Sequence, residues 1–390
     1  MRLTGVPLEL AEYPGESVTN AQFRGFDLAR WDRFYLPSPL TALLPDPPGE
    51  TRRFIEDDNR SAILPDSVVT LDGTEFFLSV KGVGSTVDPY SWRTLDRTYA
   101  AELSDDPDVA ARLRRAPAVG PDRIITGELW LRGSPYGGQG LEHATTALRV
   151  SEMADLTTIA GFRIAPVVKV SLLPTPLEEQ LRHIHWYRKF PGRMVQELRL
   201  VPSNVRVFFH ARSTVGNTIR QVYDQFSVDS NARALAFETN FLSSTVAMLT
   251  LFARTLTYDA ARGRYSGLDF HDVWLDKDAV VAPDGSVYFV DLEGIDPVSV
   301  EENEVPEKVE DQIYRSLYEM MFAYEQIERE RVRRFGGEGS RKGQFESVLR
   351  EALRDDPFAR LRTDGSSLEL LVRNKCEKEH LNTRFRVVDG

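Results

Sequence analysis

The stretch His271-Asp272-Val273-Trp274-Leu275-Asp276-Lys277-Asp278 runs into Ala279-Val280-Val281-Ala282-Pro283-Asp284-Gly285-Ser286-Val287-Tyr288-Phe289-Val290 and then Asp291-Leu292-Glu293-Gly294. It spells a short loop, two apolar strands turning at Asp284-Gly285, and a carboxylate just past the second strand. Asp284 belongs to the turn. Asp291 ends an apolar run, where a carboxylate is costly to bury without a partner, and a metal is the favoured partner. Asp278 offers a second hard oxygen donor of the type Mg²⁺ and Mn²⁺ prefer. Asp272, Asp276 and Glu293 stand near enough to add ligands, to act as a base, or to order the loop by hydrogen bonds.

The 390 residues suffice for one large core or two lobes, and a hydrophobic share of 42% with 27% charged is ordinary for a globular chain. A net charge of −11 argues against a nucleic-acid-binding surface. No apolar run approaches the roughly eighteen residues of a membrane span, and no apolar leader opens the chain, so the cytoplasm is expected. Cys376 is the only cysteine, which excludes an internal disulfide and a Cys-based zinc site. A monomer or weak oligomer is the default expectation.

Residues 1–60, rich in Pro and mixed charge, read as an extension laid loosely over a neighbour. Val68 to Lys81 reads as a hairpin turning at Asp72-Gly73. Ile124 to Leu131 is a further strand candidate, and a glycine-rich turn precedes a helix expected from Leu141 to about Leu156. Strands are expected in APVVKVSLL, LRLV and VRVFF, and a long helix over 232–262. In 306–335 the residues Ile313, Leu317, Met321 and Tyr324 mark one apolar helix face, and FESVLREAL and SSLELLVRN predict two more helices. Strands first and helices later give an α+β chain. This is the order of a protein-kinase-like two-lobe fold: a β-rich N-lobe over 61–205, then a helical C-lobe with extra helices over 206–390.

Lys81 ends a strand and meets Gly82-Val83-Gly84-Ser85-Thr86. Such a lysine can place its ammonium on phosphate oxygens, with a carboxylate from the next helix fixing its position. Glu152 is the first candidate for that carboxylate and Glu142 the second. The glycines at 133, 137, 138 and 140 either present N–H groups to phosphate or form a simple turn. Arg199 and Arg206 flank a bend at Pro202, so they either converge on one anion or lie on the surface. His183 and His185 have no further ligand cluster and read as structural. Kinases carry a catalytic-base Asp where this chain has Val273.

Several of these pieces resemble one family, the selenoprotein O pseudokinases, which are protein AMP-transferases with a kinase fold. The family's Lys-Gly-Ala-Gly-x-Thr-Pro-Tyr-Ser-Arg is similar to Lys81-Gly82-Val83-Gly84-Ser85-Thr86 followed, after two extra residues, by Pro89-Tyr90-Ser91-Trp92. Its Ser-Glu-Ala-Met helix leading to Thr-Arg-Ala looks like Ser151-Glu152-Met153 running on to Arg163-Ile164-Ala165. Its Arg-Val-Ala-Pro-Ser-His-Leu-Arg resembles Arg199 to Arg206. Its loop, with Val in place of the base, resembles His271-Asp272-Val273 ending in Asp278. These motifs keep their order over roughly residues 75–295.

The resemblance implies an inverted ATP. Lys81, Arg199 and Arg206 would hold the outer phosphates beside Gly82 and Gly84, and Asp278 and Asp291 would hold Mg²⁺ or Mn²⁺. AMP would pass to a protein or small-molecule acceptor, and pyrophosphate would leave. The chain departs from the family in several places. Asp278 replaces the metal Asn, and Lys277 replaces the base Asp, leaving Asp276 or Asp272 for that role. The family's Asp-Tyr-Gly is Asp291-Leu292-Glu293-Gly294, the helix glutamate expected earlier falls on Ala147, and the C-terminal redox Cys is missing. γ-Phosphate transfer, an acyl-adenylate ligase and a non-catalytic nucleotide-binding scaffold are the alternative readings.

Overall fold

The computed structural model describes residues 3, 7–37, 50–56, 61–83, 139–159, 162–181, 192–207, 217–218, 222–254, 256–259, 264–270, 278–301, 320 and 323–338. Among the described residues the architecture is α+β, dominated by a nine-stranded antiparallel sheet with three smaller sheets and few helices. The large sheet takes β1 (Pro7–Pro14), β2 (Glu16–Thr19), β3 (Arg33–Pro37), β4 (Thr51–Glu56), β5 (Ser61–Leu71), β6 (Thr74–Lys81) and β7 (Gln139–Gly140). Helix α1 (Leu141–Met153) and the small hairpin β8 (Thr158–Ile159) to β9 (Phe162–Arg163) intervene before β10 (Val167–Leu172) and β11 (Met194–Val201). The spatial order is β2-β10-β11-β6-β5-β4-β1-β3, with β7 also paired to β11.

The β5–β6 hairpin turns where the sequence predicts. Asp72 (φ 48°) and Gly73 (φ 78°) both take positive φ, as a two-residue turn matched to the sheet twist requires. β5 begins earlier than expected and carries a bulge between Leu64 and Val68. Ser67 bridges it: its hydroxyl donates to the Leu64 carbonyl and accepts from the Leu78 N–H, so the irregular backbone stays satisfied.

The N-terminal residues are not a loose extension; they supply four of the nine strands. β1 pairs with β3 and β4, whereas β2 pairs with β10 at the opposite end of the order. One chain segment, bent at Gly15, therefore serves both ends and rolls the sheet. A Cβ at Gly15 would come within 3.1 Å of the Arg33 carbonyl carbon, which explains a glycine at the bend. Gln196 of β11 completes the roll: Nε2 donates to the Tyr35 carbonyl (2.6 Å) and Oε1 accepts from the Tyr35 N–H (2.9 Å). The side-chain amide thus stands in for a neighbouring strand. Phe23, Trp31, Tyr35, Phe54, Phe76 and Leu78 fill this side of the sheet.

Further along come β12 (Val205–Arg206), β13 (Asn217–Thr218), α2 (Asn231–Arg254), β14 (Leu256–Asp259), β15 (Arg264–Phe270), β16 (Ala279–Val281), β17 (Val287–Phe289) and β18 (Ile295–Glu301), then helix α3 over 323–335. They form the sheets β13-β12-β16-β17 and β14-β15-β18. The long helix stops at Arg254, not near 262. Leu256–Asp259 pairs with β15 instead, a long-range choice that Thr257 and Tyr258 favour by their strand propensity. α2 buries Phe237, Phe241, Leu242 and Met248, and α3 buries Ala323, Tyr324 and Ile327, in the second core. Ile313, Leu317, Met321, the 124–131 strand, the two last helices and most of the 133–140 glycines lie outside the described residues. No described helix is long and apolar enough to cross a membrane.

Candidate active site around Lys81 and Asp291

Strand register builds the floor of the site. Glu197 of β11 and Ser61 of β5 lie directly opposite Lys81 of β6, while Arg199 and Ile63 lie opposite Ser79. Opposed residues of an antiparallel pair share a face. Ser61, Lys81 and Glu197 therefore form one polar row, with Ser79 and Arg199 one pleat away. Leu78, Val80, Leu198 and Leu200 alternate with them and enter the apolar core. The signal was present in Met194–Val201, where Glu197 and Arg199 alternate with Leu198 and Leu200 within one strand.

The β16–β17 hairpin carries the facing wall. Ala279 pairs with Phe289, and the Val290 N–H donates to the Asp278 carbonyl at 2.7 Å. Asp278 and Asp291 thus flank the open end of the hairpin. Several contacts fix its placement. The Ala165 N–H donates to the Phe289 carbonyl (2.8 Å), and Arg199 Nη1 donates to the Val290 carbonyl (2.7 Å). At the turn, Asn240 Nδ2 of α2 donates to the Asp284 carbonyl (2.7 Å), and the Ser286 N–H donates to Asp284 Oδ1 (2.9 Å). The chain then makes a short 3-10 turn, Leu292–Gly294, against which α1 packs.

These walls meet at Lys81. Its Nζ donates to Asp291 Oδ1 and to Glu293 Oε2, each at 2.5 Å. The lysine side chain is 5% exposed, against 22% for Asp291 and 17% for Glu293. A buried ammonium requires such partners. Glu197 is fully buried nearby, with Oε1 accepting from Gln139 Nε2 at 2.5 Å. Burial pushes its carboxyl up to about 7; Lys81 opposes the rise, and Glu293 adds to it.

Of the residues expected at a site, Lys81, Arg199, Asp278 and Asp291 gather on these elements. Gly82 follows Lys81 with φ 99°, a conformation natural to glycine. Arg199 Nη2 donates to Ser61 Oγ at 2.8 Å, so both of its terminal nitrogens bond within the chain. Arg206 is buried in a different sheet, opposite Val280. Glu152 is not the partner of Lys81. It lies exposed near the end of α1, where its carboxylate accepts from the Ala21 N–H. Glu142 is exposed in the first turn. α1 turns Ala144, Ala147, Leu148 and Ser151 inward, and both glutamates fall off that stripe. Gly84, Asp272 and Asp276 lie outside the described residues. Sequence reasoning missed Glu197, Gln139 and the pairing of Glu293 with Lys81.

The donors Asp278, Asp291 and Glu293 suit a hard divalent cation in their chemistry. Among the described residues, no three His, Cys, Asp or Glu side chains are grouped as a ready metal cage. No family model matches the chain, and it has no match among the curated proteins or the solved structures compared with it.

Proposed function

We propose that the chain is an ATP- and metal-dependent nucleotidyltransferase on a protein-kinase-like two-lobe fold. It moves AMP to a hydroxyl or carboxylate of a protein or small-molecule acceptor. The carrying observation is the meeting of Lys81 with Asp291 and Glu293 across more than two hundred residues of chain. A strand-end lysine beside the carboxylate that follows a hairpin is the pairing a phosphate-and-metal site needs. The packing of α1 over the Leu292–Gly294 turn and of α2 under the hairpin supports the same reading.

Lys81 neutralises phosphate charge, and Asp278 and Asp291 are the residues that would hold Mg²⁺ or Mn²⁺, which supplies further neutralisation of the phosphates. The acceptor oxygen attacks the α-phosphorus, its proton passes to Asp276 or Asp272, and the bond to the β-phosphate breaks to release pyrophosphate. Positioning and charge neutralisation account for the rate, so Val273 in place of a kinase base is tolerated. ATP as donor points to the cytoplasm as the compartment.

Incubation with ATP labelled at the α or the γ position, Mg²⁺ or Mn²⁺ and cell extract tests the reading. Label retained from the α position alone, and lost in Asp291→Ala, is expected. Label from γ alone establishes phosphate transfer instead. Pyrophosphate release without stable label points to a carboxylate-activating ligase, and nucleotide binding without turnover to a scaffold.

A further inference from the structure

We infer that Glu293 is the positioning carboxylate of Lys81, in place of a glutamate from α1. This rests on the reading of Lys81 as the phosphate-binding lysine. The helix cannot supply the group: its inward positions are Ala144, Ala147, Leu148 and Ser151. Ser151 is itself committed, donating to the Ala147 carbonyl and accepting from the Val167 N–H. The two glutamates of the helix face outward, and Glu152 serves the N-terminal segment.

Three other carboxylates stand near the lysine or its hairpin, and their placement divides the work. Glu197 is opposite Lys81 in the ladder, but Gln139 engages its carboxylate. It is therefore committed to the floor of the site. Asp278 and Asp291 flank the open hairpin end, where a cation and phosphates would approach. Glu293 lies two residues further on, in a turn pinned by buried Leu292 and covered by α1. Its contact with Lys81 is as short as that of Asp291, and its side chain is the less exposed of the two. When phosphates draw Lys81 and Asp291 into their own contacts, Glu293 keeps the ammonium aimed. α1 thus acts on the lysine through the turn beneath it, without contributing a charged side chain.

The test uses the full chain with Glu293→Gln, Glu293→Asp and, as a control, Glu152→Gln. Without nucleotide, the rate at which an amine-reactive reagent labels Lys81 is read by peptide mass spectrometry. Binding of a fluorescent ATP analogue is then measured in EDTA and in Mg²⁺. Glu293→Gln is expected to raise Lys81 labelling several-fold and weaken metal-free binding about tenfold, the loss of one charge-assisted hydrogen bond. Glu293→Asp, which keeps the charge and guards against a folding defect, should recover part of both. Glu152→Gln should change neither. Unchanged Lys81 labelling in folded Glu293→Gln overturns the proposal, and so does an affinity loss confined to Mg²⁺, which would make Glu293 a metal ligand. If the wild-type chain binds no ATP analogue while labelling still responds to Glu293→Gln, the ATP reading falls and the Lys81–Glu293 coupling stands.

Discussion

Gly285 packs against the backbone of Phe237, with no room for a side chain between the β16–β17 turn and α2. Its φ of 94° is also one that other residues rarely adopt. Gly285→Ala is expected to cost about 3 kcal/mol or more, through strain and overpacking together. Because the same hairpin ends in Asp291, the folded variant should also lose the nucleotide affinity that the proposed function requires. Urea denaturation reads the first effect, and a loss below about 1 kcal/mol would contradict the packing argument.

Glu197 predicts a specific pH dependence. Its ordinary value is 4.5 and its folded value about 7, so the folded state binds the proton more tightly. The stabilisation is full below the unfolded value and is lost as pH rises through the folded one. Between about pH 4.5 and 7 this amounts to something on the order of 3 kcal/mol. Glu197→Gln removes that dependence, so its stability profile should be flatter and its relative stability greatest near pH 8. Parallel wild-type and variant profiles would refute the assignment.

Glu238 of α2 and Arg331 of α3 form a buried ion pair at 2.6 Å. Removing one partner strands the other charge, so Arg331→Met should destabilise the chain by about 3–5 kcal/mol. The double variant with Glu238→Met should regain most of the loss. Equal stability of single and double variants in a denaturant titration would remove the pair from the account of this core.

Gln196→Leu leaves the buried Tyr35 N–H and carbonyl without their side-chain partner. A cost of about 2–4 kcal/mol is expected from two unsatisfied backbone groups. Thermal denaturation measures it, and faster amide exchange along Arg33–Pro37 should accompany it. Unaltered exchange there would mean that β3 does not depend on Gln196.

Local chemistry made some of this structure legible. Asp72-Gly73 and Asp284-Gly285 announce both hairpins through turn preference, and the spacing of Leu141, Ala144 and Leu148 announces α1, although Leu141 is exposed and the helix ends at Met153, short of Leu156. The N-terminal strands were hidden because the contacts that close their sheet are remote: β1 pairs with β3 and β4 nearby, but β2 meets β10 and Tyr35 meets Gln196 far along the chain. The end of α2 was misjudged for the same reason, since β14 exists only through its pairing with β15. At the site, Lys81 and Asp291 were visible as strand-end residues. Glu293 was visible too, as a ligand or base, but its pairing with Lys81 was not, because helical phase rather than sequence order decides which glutamate of α1 points inward, and here neither Glu142 nor Glu152 does.

The bend at Gly15 has a consequence for biosynthesis. The first strands made are the last to find all their neighbours, because β2 waits for Val167–Leu172 and β3 waits for Gln196. On a ribosome, roughly half the polypeptide must emerge before the roll can shut. Until then the Phe23, Trp31 and Phe54 side chains, which end in the core, remain open to solvent. A nascent chain arrested before β10 should therefore bind a hydrophobic dye or a chaperone strongly, and one arrested beyond β11 should release it.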